Sequence, residues 1–271
     1  MKKYLEHFTL SNGIKIQKVS YGTWQVKENE VLKKLIPTCF DLGLMHIDTA
    51  YDYRNEMMIG PILKNSGVKR ENYFITSKLA SHLKGYDITK KYFKESLDDL
   101  QLDYLDLYLI HAPWPWSDIG KDCTDGNIES WKAMIDLYKE GKIRSIGVSN
   151  FAIKDIEALI STTGFVPHVN QICFFIGHYD KELIDYCQKK GILIEAYSPL
   201  GTGKVLNNET ITKMANKYNV TVPQLCIRYC LQHNTLPIFK TNHEEYLRSN
   251  LLLDFVISDE DMKFLDILKI A

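Results

Sequence analysis

The sequence predicts an α/β fold: a closed (β/α)8 barrel preceded by an N-terminal β-hairpin. Three observations lead there. Strand-like runs rich in Ile, Val and Leu alternate with amphipathic helical segments, the pattern of a parallel sheet covered by helices. The alternation repeats eight times within 271 residues, a length that suits one TIM-type barrel of about 250 residues. The strand-like runs also end repeatedly on polar residues, as they would if their C-terminal ends shared one face. No Pro/Ser-rich linker, charge block or low-complexity stretch divides the chain, so one barrel domain over residues 1–271 is expected.

The elements follow in order. HFTLSNGIKI reads as a hairpin turning at Asn12-Gly13, a pair that accepts positive φ. An apolar run from Val19 opens the barrel, followed by helical periodicity over 30–42 and the strand LMHID. A helix over 56–64, the strand YFITSK, a helix over 88–100 and the strand YLDLYLIH come next. A helix over 128–139 leads to IRSIGVSN, a helix over 154–161 to the short strand PHVNQ, and a helix over 181–190 to ILIEAYS. Residues 209–232 hold two helical stretches broken near 220–223, and LPIFKT is the last strand. Helices over 244–251 and 259–268 finish the pattern.

Composition narrows the function. The chain has 33 basic and 34 acidic residues, a formal net charge of −1, and this balance removes the bulk electrostatic case for nucleic acid or an anionic membrane surface. No apolar run approaches the roughly 18–20 residues of a membrane-spanning helix. MKKYLEHFTLSNG has two lysines with no apolar segment behind them, so no signal peptide is expected and a cytoplasmic location is. The six cysteines form no CxxC pair and are expected to be unpaired, mostly buried thiols. Cys226 and Cys230 share a helix face, but two thiols make no zinc site. The eight histidines show neither HxxxH nor HExxH spacing, so no metal is expected.

The strand ends carry the strongest signal. LMHID ends at Asp48, FITSK at Lys78, LYLIH at His111, IGVSN at Ser149-Asn150, HVNQ at Gln171, IEAYS at Tyr197-Ser198 and LPIFKT at Lys240-Thr241. One polar strand end is merely a strand meeting solvent. An aspartate, a lysine and a histidine at three successive ends point to chemistry. An aspartate beside a lysine keeps the lysine charged, and a charged lysine lowers the pKa of a neighbouring phenol from its reference of about 10. The loop after Asp48 supplies Tyr51 and Tyr53. The set is a tunable tyrosine acid needing neither metal nor covalent nucleophile. No GxSxG elbow, GxGxxG or Walker motif is present, so a serine hydrolase, a Rossmann domain and a P-loop lack support.

HIDTAYDYRNE, ITSK, LIHAP, GVSNF, VNQ and AYSPLG, from GTWQ near Thr23 to LRSN near Asn250, strongly resemble the aldo-keto reductases. These motifs occur in the family's order over nearly the whole chain, as in its short bacterial-type members, which include diketogluconate and methylglyoxal reductases. The resemblance implies NAD(P)H-dependent reduction of aldehydes or ketones on a (β/α)8 barrel. It places the catalytic tetrad on Asp48, Tyr53, Lys78 and His111, choosing Tyr53 over Tyr51 because Tyr53 fills the tyrosine of DTAxxY. Tyr53 would give the proton, Lys78 paired with Asp48 would lower its pKa, and His111 would orient the carbonyl. By the same resemblance Ser149, Asn150 and Gln171 meet the nicotinamide carboxamide and Tyr197 stacks on its ring. Ser198, Leu200 and Gly201 belong to a pyrophosphate loop, and Thr23, Lys240, Thr241 and Asn250 complete the cofactor contacts.

The last strand departs from the family pattern. In IFKTNHEEYLRSN, Lys240, Thr241 and Asn250 match, but Tyr246 stands where the family commonly has an arginine that grips the 2'-phosphate of NADP. Arg248 lies about 200° further round a helix and is no substitute. Asn242 with Glu245 looks like a helix capping pair. NADPH with a weakened preference, and real NADH activity, is the expectation. RNE replaces the common GNE, and NQICFFIGH replaces NQ-x-E-x-HP, with Phe174 and Phe175 expected to change local packing.

Trp24, Trp114 and Trp116 follow the first and fourth strands; Trp24 and Trp114 are expected to line the substrate pocket and Trp131 to sit in the core. A short loop after His111, and a chain that stops at Ala271 soon after its last helix, predict an open pocket with broad range and weak affinity. No arginine or lysine cluster near the tryptophans invites a strongly anionic substrate. The expected partner is a small aldehyde or ketone, and the resemblance implies a monomer. A cofactor-binding regulatory barrel without turnover, and an aldolase using Lys78 as a Schiff base, are the competing readings.

Overall fold

Eight parallel strands close into a barrel in the computed structural model, which describes residues 2–270. In chain order the elements are a hairpin of β1 (His7–Thr9) and β2 (Lys15–Gln17), then β3 (Ser20–Gly22), α1 (Asn29–Asp41), β4 (His46–Asp48), α2 (Glu56–Lys64), β5 (Phe74–Leu79), α3 (Tyr86–Leu100), β6 (Leu105–Ile110) and α4 (Thr124–Lys139). There follow β7 (Ile143–Ser149), α5 (Ile153–Thr163), β8 (Val169–Cys173), α6 (Lys181–Lys189), β9 (Leu193–Tyr197), α7 (Glu209–Lys217), α8 (Val222–Gln232), β10 (Leu236–Phe239), α9 (Glu244–Asn250) and α10 (Asp259–Ile267). The barrel runs β3 to β10 in sequence and closes by pairing β10 with β3, Ile238 opposite Ser20. The expected fold class is therefore observed, with strand–helix alternation throughout.

Several boundaries move. The hairpin turn is wider than a two-residue Asn-Gly turn: Gly13 N donates to Leu10 O and Leu10 N to Ile14 O, so Ser11 and Asn12 are central and Gly13 (φ +85°) closes it. α4 starts four residues before the expected 128, because its first turn, TDGN, has no apolar residue to reveal it. β8 runs on to Cys173, so Gln171 lies inside the strand rather than at its end.

The barrel interior is graded. Phe74, Leu107, Leu109, Val169, Leu236 and Ile238 form an apolar layer inside the barrel, and Leu10 and Ile16 of the hairpin pack with it. Each such buried apolar side chain contributes roughly 1.5–3 kcal/mol. The larger core lies between strands and helices, with Trp131 fully enclosed in it. Toward the C-terminal ends the interior turns polar, with Asp48, Lys78, Gln171 and Glu195 all buried. The six cysteines are free, Cys123 and Cys173 half-buried and the others buried. Among the described residues no helix is long and apolar enough to cross a membrane.

Candidate active site

Strand geometry brings the four predicted residues together. Asp48 ends β4, Lys78 is the penultimate residue of β5, and His111 directly follows β6. After Asp48 the chain makes one 3-10 turn over Tyr51–Tyr53, which returns Tyr53 to Lys78. Asn55 pins that turn: it accepts from Thr49 Oγ1 at 2.8 Å and donates to Thr23 O at 2.9 Å. Thr23 in turn donates through both N and Oγ1 to Asp48 O.

Lys78 Nζ donates to Asp48 Oδ1 at 2.7 Å, to Thr49 O at 2.8 Å and to Tyr53 Oη at 3.4 Å. All three ammonium hydrogens therefore have acceptors, as full burial requires. Burial alone would pull Lys78 down, but the Asp48 carboxylate, with Tyr53 assisting, outweighs it and holds the pKa above the ordinary lysine value. For Tyr53 the contest goes the other way. Burial pushes its phenol up to about 12 against the downward pull of Lys78, so the expected net lowering is not observed. The phenol keeps its proton, and the ammonium beside it favours the phenolate once that proton leaves. His111 stands edge-on to Tyr53, ring centres 5.6 Å apart, and burial lowers its proton affinity, with Lys78 adding to the effect and Asp52 opposing it.

Beside the tetrad lies a connected polar set. Ser149 Oγ donates to Gln171 O at 2.9 Å, and Asn150 Nδ2 donates to His111 O and Ser149 Oγ. Tyr197 Oη donates to Asn150 Oδ1 at 2.8 Å, so the ends of β6, β7, β8 and β9 are tied together. Asn150 holds this position at φ +61°. Beyond β9, Ser198, Gly201, Thr202 and Gly203 all have positive φ, which turns the loop sharply past half-buried Leu200. A Cβ on Gly201 would meet the Phe175 ring at 2.9 Å. Phe174 stacks instead on Tyr229 in the core.

Lys240 is exposed just past β10, with Thr241 and Asn250 buried beside it. Tyr21 Oη donates to Thr241 O at 2.9 Å and fixes that carbonyl. Tyr246 is 54% exposed, and Arg248 is committed to Glu244 at 2.7 Å, so it supplies no free guanidinium. The expected Asn242–Glu245 capping pair does not form. The N-cap is His243, one residue later, which moves Glu245 to the second helical position; Thr241 Oγ1 accepts from His243 N, and Asn242 Oδ1 is buried without a partner.

At the mouth Trp24 and Trp116 are exposed and Trp114 is half-buried. Trp116, not singled out for the pocket by sequence, stands edge-on to His111 at 5.7 Å and to Trp114 at 4.9 Å. Two carboxylates were also missed. Asp52 approaches His111. Glu195 is fully buried and accepts from Gln171 Nε2 at 2.8 Å, while the same nitrogen donates to Asp48 Oδ2 at 3.0 Å. A charge inside the apolar run ILIEAYS was the available signal for Glu195.

Amide and hydroxyl groups at β7–β9, a glycine loop with positive φ and a lysine past β10 form a donor set that fits a nicotinamide dinucleotide. Comparison with known proteins agrees. Residues 18–270 match the model of the Aldo/keto reductase family. The chain is 42% identical over 260 residues to a glyoxal reductase of Bacillus subtilis (strain 168), covering 96% of this chain and 91% of that protein. An aldo/keto reductase structure from Brucella melitensis superposes with a TM-score of 0.90 at 34% identity, covering 98% of each chain. The Bombyx mori aldo-keto reductase AKR2E4 in complex with NADP superposes with a TM-score of 0.85 at 31% identity, covering 96% of this chain and 92% of that one.

Proposed function

The chain belongs to the aldo/keto reductase family, NADP(H)-dependent oxidoreductases that reduce aldehydes and ketones, and we propose that Tyr53 is the proton donor of that reaction here. The observation that carries the assignment is the Lys78 ammonium, buried and shared between Asp48 and Tyr53 beside His111.

A nicotinamide held at this end of the barrel would supply the hydride that the carbonyl carbon takes up. Tyr53 Oη gives its proton to the oxygen that gains charge, and Lys78 stabilises the phenolate left behind. Asp48 keeps Lys78 charged, and Gln171 and Thr23 keep Asp48 in place. His111 Nε2 is the group that orients the carbonyl oxygen. Ser149, Asn150 and Gln171 hold the carboxamide, and Tyr197 offers its ring to the nicotinamide. The loop of Ser198, Leu200 and Gly201 passes the pyrophosphate, and Lys240, Thr241 and Asn250 hold the adenosine end. Because Tyr246 leaves that end without an arginine, the reading includes use of NADH beside NADPH. The substrate is a small neutral aldehyde or ketone against Trp24, Trp114 and Trp116, consistent with the similarity to a glyoxal reductase. By family resemblance the protein is expected to act as a monomer. Schiff-base chemistry on Lys78 is disfavoured, since its nitrogen is held as an ammonium, is enclosed and donates three hydrogen bonds.

The test is cofactor oxidation with a reactive aromatic aldehyde, with NADPH and NADH side by side, comparing wild type with Tyr53→Phe. Turnover lost by about 10²–10⁴-fold in the variant, with cofactor binding retained, is the expected result. Equal turnover in both proteins would remove Tyr53 from the role, and cofactor binding without turnover in the wild type would favour a regulatory barrel. A hundredfold preference for NADPH would overturn the reading of Tyr246.

A further inference from the structure

Tyr53 has a neighbour whose chemistry the tetrad leaves unused. Asp52 sits on the same 3-10 turn, and its Oδ2 lies 3.4 Å from His111 Nδ1. That imidazole nitrogen is buried and has no aligned hydrogen-bond partner, and the Asp52 carboxylate lies within ion-pair distance of it. The carboxylate is itself oriented, because Ser81 N donates to Asp52 Oδ2 at 3.3 Å and Ser81 Oγ accepts from Trp116 N at 3.1 Å. Trp116 then closes the other side of the His111 ring. Asp52 is thus built into the site by its neighbours on the loops after β5 and β6.

We propose that Asp52 is a positioning residue for His111: its carboxylate draws the imidazole proton to Nδ1, so Nε2 donates to a carbonyl oxygen only when the ring carries a second proton. The proposal rests on the reductase reading. A neutral imidazole has one N–H, and a carboxylate close to Nδ1 favours the tautomer that bears it there. With the proton on Nδ1, Nε2 presents a lone pair, which suits accepting the hydrogen of an alcohol. With both nitrogens protonated, Nε2–H faces the aldehyde oxygen. Reduction and alcohol oxidation therefore select opposite protonation states of one ring. The groups that set its charge are Asp52 and Asp48, which favour the imidazolium, and Lys78, which with burial opposes it. Tyr53 and Trp116 face the ring as uncharged aromatics, and His82 acts on Asp52.

Asp52→Asn separates charge from shape, since its amide can donate to Nδ1 and leave the proton on Nε2. Asp52→Ala serves as a second variant that removes the side chain altogether. Two readouts are required: 15N chemical shifts of His111 across pH in the cofactor-free protein, and the pH profile of kcat/KM for reduction. The expected results are an Nδ1–H tautomer in the wild type, a His111 titration lower by about 1–3 pH units in both variants, and an Asp52→Asn reduction profile without the His111 step. Identical tautomers and titrations in wild type and variants would overturn the proposal. The 15N readout needs no turnover, so an inactive wild type with the expected tautomer shift would count against the reductase reading and not against the Asp52–His111 link.

Discussion

Lys78 Nζ lies 2.7 Å from Asp48 Oδ1, and the two side chains are 0% and 3% exposed. A buried pair of this kind is costly to break, because removing one partner strands the other charge. Asp48→Asn is expected to lower unfolding stability by about 3–5 kcal/mol. Asp48→Asn/Lys78→Met is expected to recover much of that loss while remaining inactive. Urea unfolding of the two singles and the double closes the cycle, and additive losses would show that the pair is not coupled.

At the proposed adenosine end a cation can be introduced. Tyr246 is exposed, with His243 the aromatic neighbour of its ring, so an arginine has room to extend there. Tyr246→Arg is expected to raise the NADPH-to-NADH ratio of kcat/KM by about 10–100-fold, the value of one charge-assisted phosphate contact of roughly 1.5–3 kcal/mol. An unchanged ratio would mean that Tyr246 does not face the 2'-phosphate.

Glu195 links stability to pH. Burial, reinforced by repulsion from Asp48, pushes its carboxyl from the ordinary 4.5 up to about 8. The folded chain thus holds a proton that the unfolded chain releases between these values. The stabilisation is complete below about pH 4.5 and is lost as pH rises toward 8. Glu56, up to about 7 by burial, acts in the same direction. Glu195→Gln keeps the shape of the neutral acid and removes the titration. The variant should gain on the wild type by on the order of a few kcal/mol between pH 5 and pH 8 in urea midpoints. A pH-independent difference would mean that Glu195 is ionised in the fold.

The hairpin's contribution is to stability alone. Ile16 is fully buried against the apolar layer of the barrel, away from the reactive end. Ile16→Ala is expected to cost about 2–5 kcal/mol of unfolding free energy while kcat at low temperature is retained. A large fall in kcat of the folded variant would show that the two ends of the barrel are coupled.

Legibility of the sequence followed the physics of each element. Asp48, Lys78 and His111 stood out because each breaks an apolar run near a strand end. Their mutual distances follow from parallel pairing, with Lys78 opposite Leu109 and Asp48 opposite Thr76. Spacing alone could not choose between Tyr51 and Tyr53; the choice came from the family resemblance. In the structure the 3-10 turn sends Tyr51 to Glu95 on α3 and Tyr53 to Lys78. Asp52 and Trp116 were silent in the sequence because their approach to His111 depends on two loops folding together. The shift of the α9 cap to His243 was equally unreadable, since Asn242 and Glu245 have the composition of a cap and only the local φ and ψ place it elsewhere.

The tryptophans are distributed unevenly, and this has an optical consequence. Of four in the chain, Trp24, Trp114 and Trp116 lie at the mouth, while Trp131 is sealed in the core on the inner face of α4. The red-edge emission of the protein is therefore a signal from the reaction site, and the blue residue is a constant background from one indole. Occupation of the mouth by a carbonyl compound or a reduced nicotinamide can be followed as quenching of the first component without any label.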